Sequence, residues 1–139
     1  MRRGKVLIVE DEFLVALQLE DILDESGHVV LGNVSDLAGI EHVCDAPDVA
    51  LVDLNLRDGL TGPEVARRLS DRFGTRIIYV TANPKQIDMP AQSALGVVHK
   101  PFSRHAIDSA IAYALAEDLG VARPIELQPL EGHTFLRSA

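Results

Sequence analysis

Apolar residues fall in short blocks along this chain, and polar or turn-forming residues separate them. Val6-Leu7-Ile8-Val9 is a β-branched run that stops at three acids, Glu10, Asp11 and Glu12, which predicts a buried first strand. From Phe13 to Glu25, Val15, Leu19, Ile22 and Leu23 recur at helical spacing, with Glu20, Asp21, Asp24 and Glu25 on the other positions. That pattern predicts an amphipathic helix, closed by Gly27. His28 to Val34 is a second strand, and Ser35 is expected to cap a short helix through Cys44, with Asp36 at its positive end. Val49 to Asp53 is the third strand. Asp58-Gly59 marks a turn, and Thr61-Gly62-Pro63-Glu64 reads as a helix start with Thr61 and Glu64 as a capping box. That helix runs to Phe73 with Gly74 closing it.

Arg76 to Val80 is the fourth strand, ending at Thr81-Ala82-Asn83-Pro84. Pro90 limits the segment Lys85 to Leu95 to one or two turns of helix. Val97 to His99 is a short fifth strand, followed by Lys100-Pro101-Phe102. Ser103 caps a last helix with Ala106, Ile107, Ala110, Ile111 and Ala114 on one face, and Gly120 stops it. Residues 1–120 read as one domain. Residues 121–139, with Pro124, Pro129 and Gly132, read as a tail too short to be an output domain.

Five strands alternating with five helical segments predict an α/β fold, a parallel sheet with helices on both faces. The order taken for it is 2-1-3-4-5, that of a flavodoxin-like (βα)5 doubly wound five-stranded sheet. A length of 139 residues suits one domain with a core of its own. Apolar residues at 47% and charged residues at 24% are ordinary for a globular chain, so composition adds no special class. No apolar run approaches a membrane span, and the run behind Met1-Arg2-Arg3-Gly4-Lys5 is too short for a secretory signal. The lone Cys44 cannot form an internal disulfide and is expected to be a small buried side chain, which fits a reducing cytoplasm. A net charge of −8 argues against a nucleic-acid surface. The histidines show no zinc-ligand spacing with Cys44.

In a parallel sheet all strand C-termini share one edge, and ligands bind where the strand order reverses. Strand one brings Glu10, Asp11 and Glu12 to that edge, strand three brings Asp53, strand four Thr81 and strand five Lys100. Strands one and three are neighbours at the reversal, so the acids and Asp53 are expected in one pocket. Clustered carboxylates repel unless a cation offsets them, and oxygen-only ligands around a small cleft suit Mg²⁺. Lys100 adds a fixed positive charge and Thr81 a hydroxyl. Together these groups match the needs of a transferring phosphoryl group, with Asp53 as the nucleophile.

On these residues the chain resembles the receiver domain of two-component response regulators. The matching motifs are Val6-Leu7-Ile8-Val9-Glu10-Asp11-Glu12, Leu51-Val52-Asp53-Leu54-Asn55-Leu56 with Gly59, Val80-Thr81-Ala82 and Lys100-Pro101-Phe102, over residues 4 to 119. The resemblance implies that Asp53 accepts a phosphoryl group from a histidine kinase or a histidine phosphotransfer protein. It implies that Asp11 binds Mg²⁺ directly, Glu10 mostly through water, and Asn55 through its backbone carbonyl, with Asp53 completing the set. Thr81 and Lys100 then contact the phosphoryl group, Ala82 leaves room for the donor, and the Lys100–Pro101 bond is cis. A phosphorylation-dependent switch or relay follows, acting on a downstream protein that the sequence does not name, in a monomer or weak homodimer. Such a domain is not an enzyme beyond its own aspartyl phosphorylation and dephosphorylation, and the resemblance carries no role at a nucleic acid or membrane. Two departures stand out: family members often carry Tyr or Phe three residues before the lysine, and here that residue is Val97; and the segment between Thr81 and Lys100, with Pro90 in it, is shorter than usual, which alters the family's usual partner face of fourth helix, fifth strand and fifth helix.

Other readings make distinct demands. An aspartyl-phosphate hydrolase usually wants a second acid two residues after the nucleophile, where this chain has Asn55. A pseudo-receiver that binds a partner without phosphorylation has no need of the acids, Thr81 and Lys100 together. A flavin-binding protein of the same topology needs a phosphate-cradling glycine loop, and the acid-rich rim would repel the flavin phosphate.

Overall fold

The apolar runs form strands because helices cover both faces of the sheet, as a parallel sheet requires. The computed structural model describes residues 3–116 and 122–130. Its strands are β1 (Lys5–Val9), β2 (Val29–Val34), β3 (Val49–Val52), β4 (Arg76–Thr81) and β5 (Ala94–His99). They lie in the order β2-β1-β3-β4-β5, and every neighbouring pair is parallel. The α-helices are α1 (Phe13–Glu25), α2 (Gly62–Phe73) and α3 (Arg104–Leu115).

The core is split by the sheet. On one face Ile8, Leu51 and Ile78 pack against Leu19 and Leu23 of α1 and Ile107 and Ile111 of α3. On the other face Val9, Val52 and Tyr79 meet Val65 and Leu69 of α2. Each such fully buried Leu or Ile contributes roughly 1.5–3 kcal/mol relative to exposure. That rigid slab fixes the strand ends. Past those ends the ladder continues: Glu10 N–H donates to the Val34 carbonyl and Asp53 N–H to the Val9 carbonyl, both at 2.9 Å. Glu10 and Asp53 thus leave the sheet side by side at the point where strand order reverses.

Several local expectations are corrected. The segment after β2 is a 3₁₀ helix, Leu37–His42, capped by Asp36 and not Ser35; the Asp36 carboxylate accepts the Gly39 N–H at 2.9 Å. Thr61 does not form a capping box. Its hydroxyl bonds to Asp58, while Glu64 is taken by Arg67 and Arg68 one turn on. Cys44 is exposed, because the short 3₁₀ helix leaves a cavity of about 650 Å³ beside β2 with Cys44 among its lining residues. Between β4 and β5 only Pro84–Gln86 is helical, as Pro90 led us to expect. Ser103 caps α3 as expected, its Oγ accepting the Ala106 N–H at 3.0 Å. Gly120 lies outside the described residues. The segment expected as a tail returns to the domain: Gln128 pairs with Val97 on the outer edge of β5, and Leu127 is buried.

Candidate functional site

Four strand ends bring charge and hydroxyl groups to one rim, and the sheet decides which of them meet. Glu10 follows β1 and is 1% exposed; Asp53 follows β3 and is 7% exposed. Lys100 follows β5, and its own N–H donates to the Thr81 carbonyl at 3.0 Å, which holds it beside the end of β4. From there the ammonium reaches across the rim. It donates to Glu10 Oε1 at 2.7 Å and lies 3.3 Å from Asp53 Oδ2. Oxygens of Glu10, Asp11 and Asp53 all lie within 4.8 Å of one another.

Each carboxylate has a second set of partners. Glu10 Oε2 accepts the backbone N–H groups of Asp11 at 3.1 Å and Glu12 at 3.3 Å, so the acidic turn folds around it. Asp53 Oδ1 accepts the Leu54 N–H at 2.8 Å, which leaves Oδ2 on the lysine side. Asp11 stands exposed at the rim. Burial pushes the Glu10 carboxyl up to about 7; Lys100 opposes this, and Asp53 adds to it by hydrogen bonding and charge. Burial alone would lower the Lys100 ammonium, but its hydrogen bond to Glu10 and the charges of Glu10 and Asp53 outweigh that and raise it. One cation therefore serves two buried carboxyls, with a third close by. Hard oxygen donors packed this closely, with too little positive charge among them, fit a divalent ion such as Mg²⁺.

The remaining predicted residues are placed as follows. Thr81 ends β4, is 1% exposed, and its Oγ1 accepts the Asn83 N–H at 3.0 Å. Asn55 is exposed on the loop after Asp53, its side chain donating to Gln86 Oε1 at 3.0 Å. Ala82 is exposed beside them, and the Lys100–Pro101 bond is cis. Val97 is buried in the core on the α2 side of the sheet, and its backbone is paired with Gln128.

Three features were not anticipated from the sequence. Asn33 Oδ1 accepts the Glu10 N–H at 3.2 Å, a contact across strands with no local signature. Gly62, at the entry of α2, lies so close to the site loop that a Cβ there would stand 1.9 Å from the Asp53 carbonyl oxygen and 2.7 Å from Leu54 Cα. The glycine between Thr61 and Pro63 was visible, but only the fold shows what it touches. Finally, Phe13 and Leu14 are each 75% exposed and Leu17 is 42% exposed, an apolar patch on α1 directly after the acidic turn. The helical pattern does carry a signal for it, since these three residues lie off the stripe of Val15, Leu19, Ile22 and Leu23.

Similarity to known proteins agrees with this geometry. A family model described as response regulator receiver domain matches residues 6–112. The phyllosphere-induced regulator PhyR of Methylorubrum extorquens is 30% identical over 117 residues, covering 80% of this chain and 43% of that protein. The transcriptional regulatory protein PdtaR of Mycobacterium tuberculosis is 29% identical over 136 residues, covering 92% of this chain and 62% of that one. The chain thus spans about half the length of these curated relatives. Among solved structures, the receiver (REC) domain of the Erythrobacter litoralis PhyR response regulator superposes with a TM-score of 0.74 at 28% identity, covering 86% of this chain and 95% of that one.

Proposed function

The chain belongs to the response regulator receiver domain family, and we propose that within it Asp53 is the phosphoryl acceptor of a two-component or phosphorelay pathway. The observation that carries this is Lys100 Nζ, placed between Glu10 Oε1 at 2.7 Å and Asp53 Oδ2 at 3.3 Å. A structural ion pair needs one lysine and one acid. A lysine shared by two buried carboxyls at a strand-order reversal instead leaves the cluster short of positive charge, which suits a divalent cation and, with it, a phosphoryl group. In the proposed transfer, an Asp53 carboxylate oxygen attacks the phosphorus of a phosphohistidine. The P–N bond breaks, its electron pair stays on the imidazole nitrogen, and that nitrogen takes up a proton.

Residues of this chain divide the work. Leu54 N–H holds Asp53 Oδ1 and so orients the carboxylate. Lys100 and the Thr81 hydroxyl are proposed to contact phosphoryl oxygens once transfer is complete, Lys100 exchanging its hold on Asp53 for the new anion. Glu10, Asp11, Asp53 and the Asn55 carbonyl are proposed to hold Mg²⁺, which when bound offsets charge on the transferring oxygens. The apolar patch of Phe13, Leu14 and Leu17 beside the acids is proposed as the seat of the histidine-bearing donor, a histidine kinase or phosphotransfer protein. The cytoplasm is its proposed location, and residues 1–120 together with the packed segment 122–130 the proposed receiver unit.

The test is direct. Acetyl phosphate or a cognate phosphohistidine donor with Mg²⁺ is expected to add one hydroxylamine-labile phosphoryl group, seen by intact mass. Asp53→Asn is expected to abolish it. Undiminished labelling of the Asn variant would remove Asp53 from the mechanism.

A further inference from the structure

The loop that leaves Asp53 is held from two sides. On the side of β2 the hold is threefold. Arg57 N–H donates to the Ser35 carbonyl at 3.0 Å, Asp58 Oδ2 accepts the Leu37 N–H at 3.1 Å, and the Arg57 guanidinium pairs with Asp36. On the side of β4 a single side-chain hydrogen bond does the work among the described residues: the Asn55 amide donates to Gln86 Oε1 at 3.0 Å. Both partners are exposed.

Gln86 is set in place by its backbone. Pro84 opens the 3₁₀ turn with its fixed φ, and Gln86 N–H donates to the Asn83 carbonyl at 3.0 Å. Ile87 N–H closes the turn on the Pro84 carbonyl at 3.1 Å, and the Ile87 side chain packs against the core on the α2 side. Asn83 N–H in turn donates to Thr81 Oγ1 at 3.0 Å. A hydrogen-bonded path therefore runs from buried Thr81 through Asn83 and Gln86 to Asn55. Its far end reaches the residue whose carbonyl is proposed above to join the three carboxylates at Mg²⁺.

A hydrogen bond between two exposed amides adds little to folding, because water satisfies both groups when it breaks. Its effect is to restrict where the residue behind the amide can sit. A ligand group held in advance costs less to order when the ion arrives. We propose, resting on the metal set of Glu10, Asp11, Asp53 and the Asn55 carbonyl, that Gln86 is a positioning residue for the divalent ion. Through the Asn55 side chain it keeps the Asn55 backbone in register with the acids, and it touches neither the ion nor the phosphoryl group. The loop carrying one ligand is thereby fixed to the turn that follows Thr81.

The probe is Mg²⁺ alone, titrated into the full chain by calorimetry at one pH. Gln86→Met keeps the side chain's length and removes its acceptor; Asn55→Ala removes the amide and keeps the backbone carbonyl. Each is expected to weaken Mg²⁺ binding roughly three- to ten-fold, and the double variant no further than the weaker-binding single one. The metal-free melting temperature of Gln86→Met is expected to stay within about 2 °C of the unaltered chain. Additive losses in the double variant would overturn the proposal, since Gln86 would then act apart from Asn55. A loss of affinity accompanied by a larger fall in the metal-free melting temperature would overturn it by making Gln86 merely structural. Mg²⁺ uptake that Asp11→Asn weakens but Gln86→Met leaves unchanged would overturn this proposal alone. No uptake by the unaltered chain, or uptake indifferent to Asp11→Asn, would overturn the metal set and this proposal with it.

Discussion

Glu10 decides how the site responds to protons. It is 1% exposed, and its carboxyl is pushed up to about 7, from 4.5, chiefly by burial. A carboxyl whose pKa is raised on folding stabilises the fold while protonated. That contribution is complete below about 4.5 and is lost as pH rises through about 7, a swing on the order of 3 kcal/mol at most. The metal-free protein is therefore expected to melt at progressively lower temperature between pH 5 and pH 8, and Glu10→Gln is expected to flatten that dependence. Thermal melts followed by circular dichroism decide it; an unchanged slope in the Gln variant would assign the effect to another group. Glu10, Asp53, Thr81 and Lys100 were all legible in the sequence because each ends an apolar run at the same sheet edge. Asn33 was not, because its bond to the Glu10 N–H joins residues 23 apart through strand register. Cys44 was misplaced because an apolar neighbourhood in sequence says nothing about a face left uncovered.

The entry of α2 ties helix geometry to site geometry. With Gly62 packed against the Asp53–Leu54 backbone, a methyl group there must push the site loop away. Gly62→Ala is expected to destabilise the protein by about 1–3 kcal/mol and to slow labelling of Asp53 as well. Ser103→Ala is the contrast: it removes the cap of α3 and costs about 1 kcal/mol, with labelling retained. Denaturant unfolding paired with labelling rates separates the two, and equal labelling rates in both variants would contradict the link between α2 and Asp53. The strands and the three α-helices were legible from periodicity, since buried β-branched runs and helical stripes differ in period. The Asp36-capped 3₁₀ form of the segment after β2 and the missing capping box were not. There, side-chain partners such as Asp58 for Thr61 and Arg67 for Glu64 override the local signature.

The sheet as a unit supplies what no element holds alone. The order β2-β1-β3-β4-β5 places the β1 and β3 ends side by side and sets Lys100 within reach of both. The parallel sheet with helices on both faces was legible from the alternation of elements, whereas alternation alone does not single out its strand order. The return of residues 122–130 to β5 was not legible, since Pro124 and Pro129 read as a tail and the partner of Gln128 lies 31 residues back in sequence. Convergence of distant side chains on one reactive carboxylate is the central claim. It is tested most directly by treating the protein with acetyl phosphate and Mg²⁺, reducing it with borohydride, and mapping the product by peptide mass spectrometry. An acyl phosphate on Asp53 becomes homoserine, so conversion at position 53 alone is expected. Homoserine at Asp11, an alcohol from the Glu10 or Glu12 carboxyl, or a borohydride-resistant phosphate on Thr81 would contradict the account.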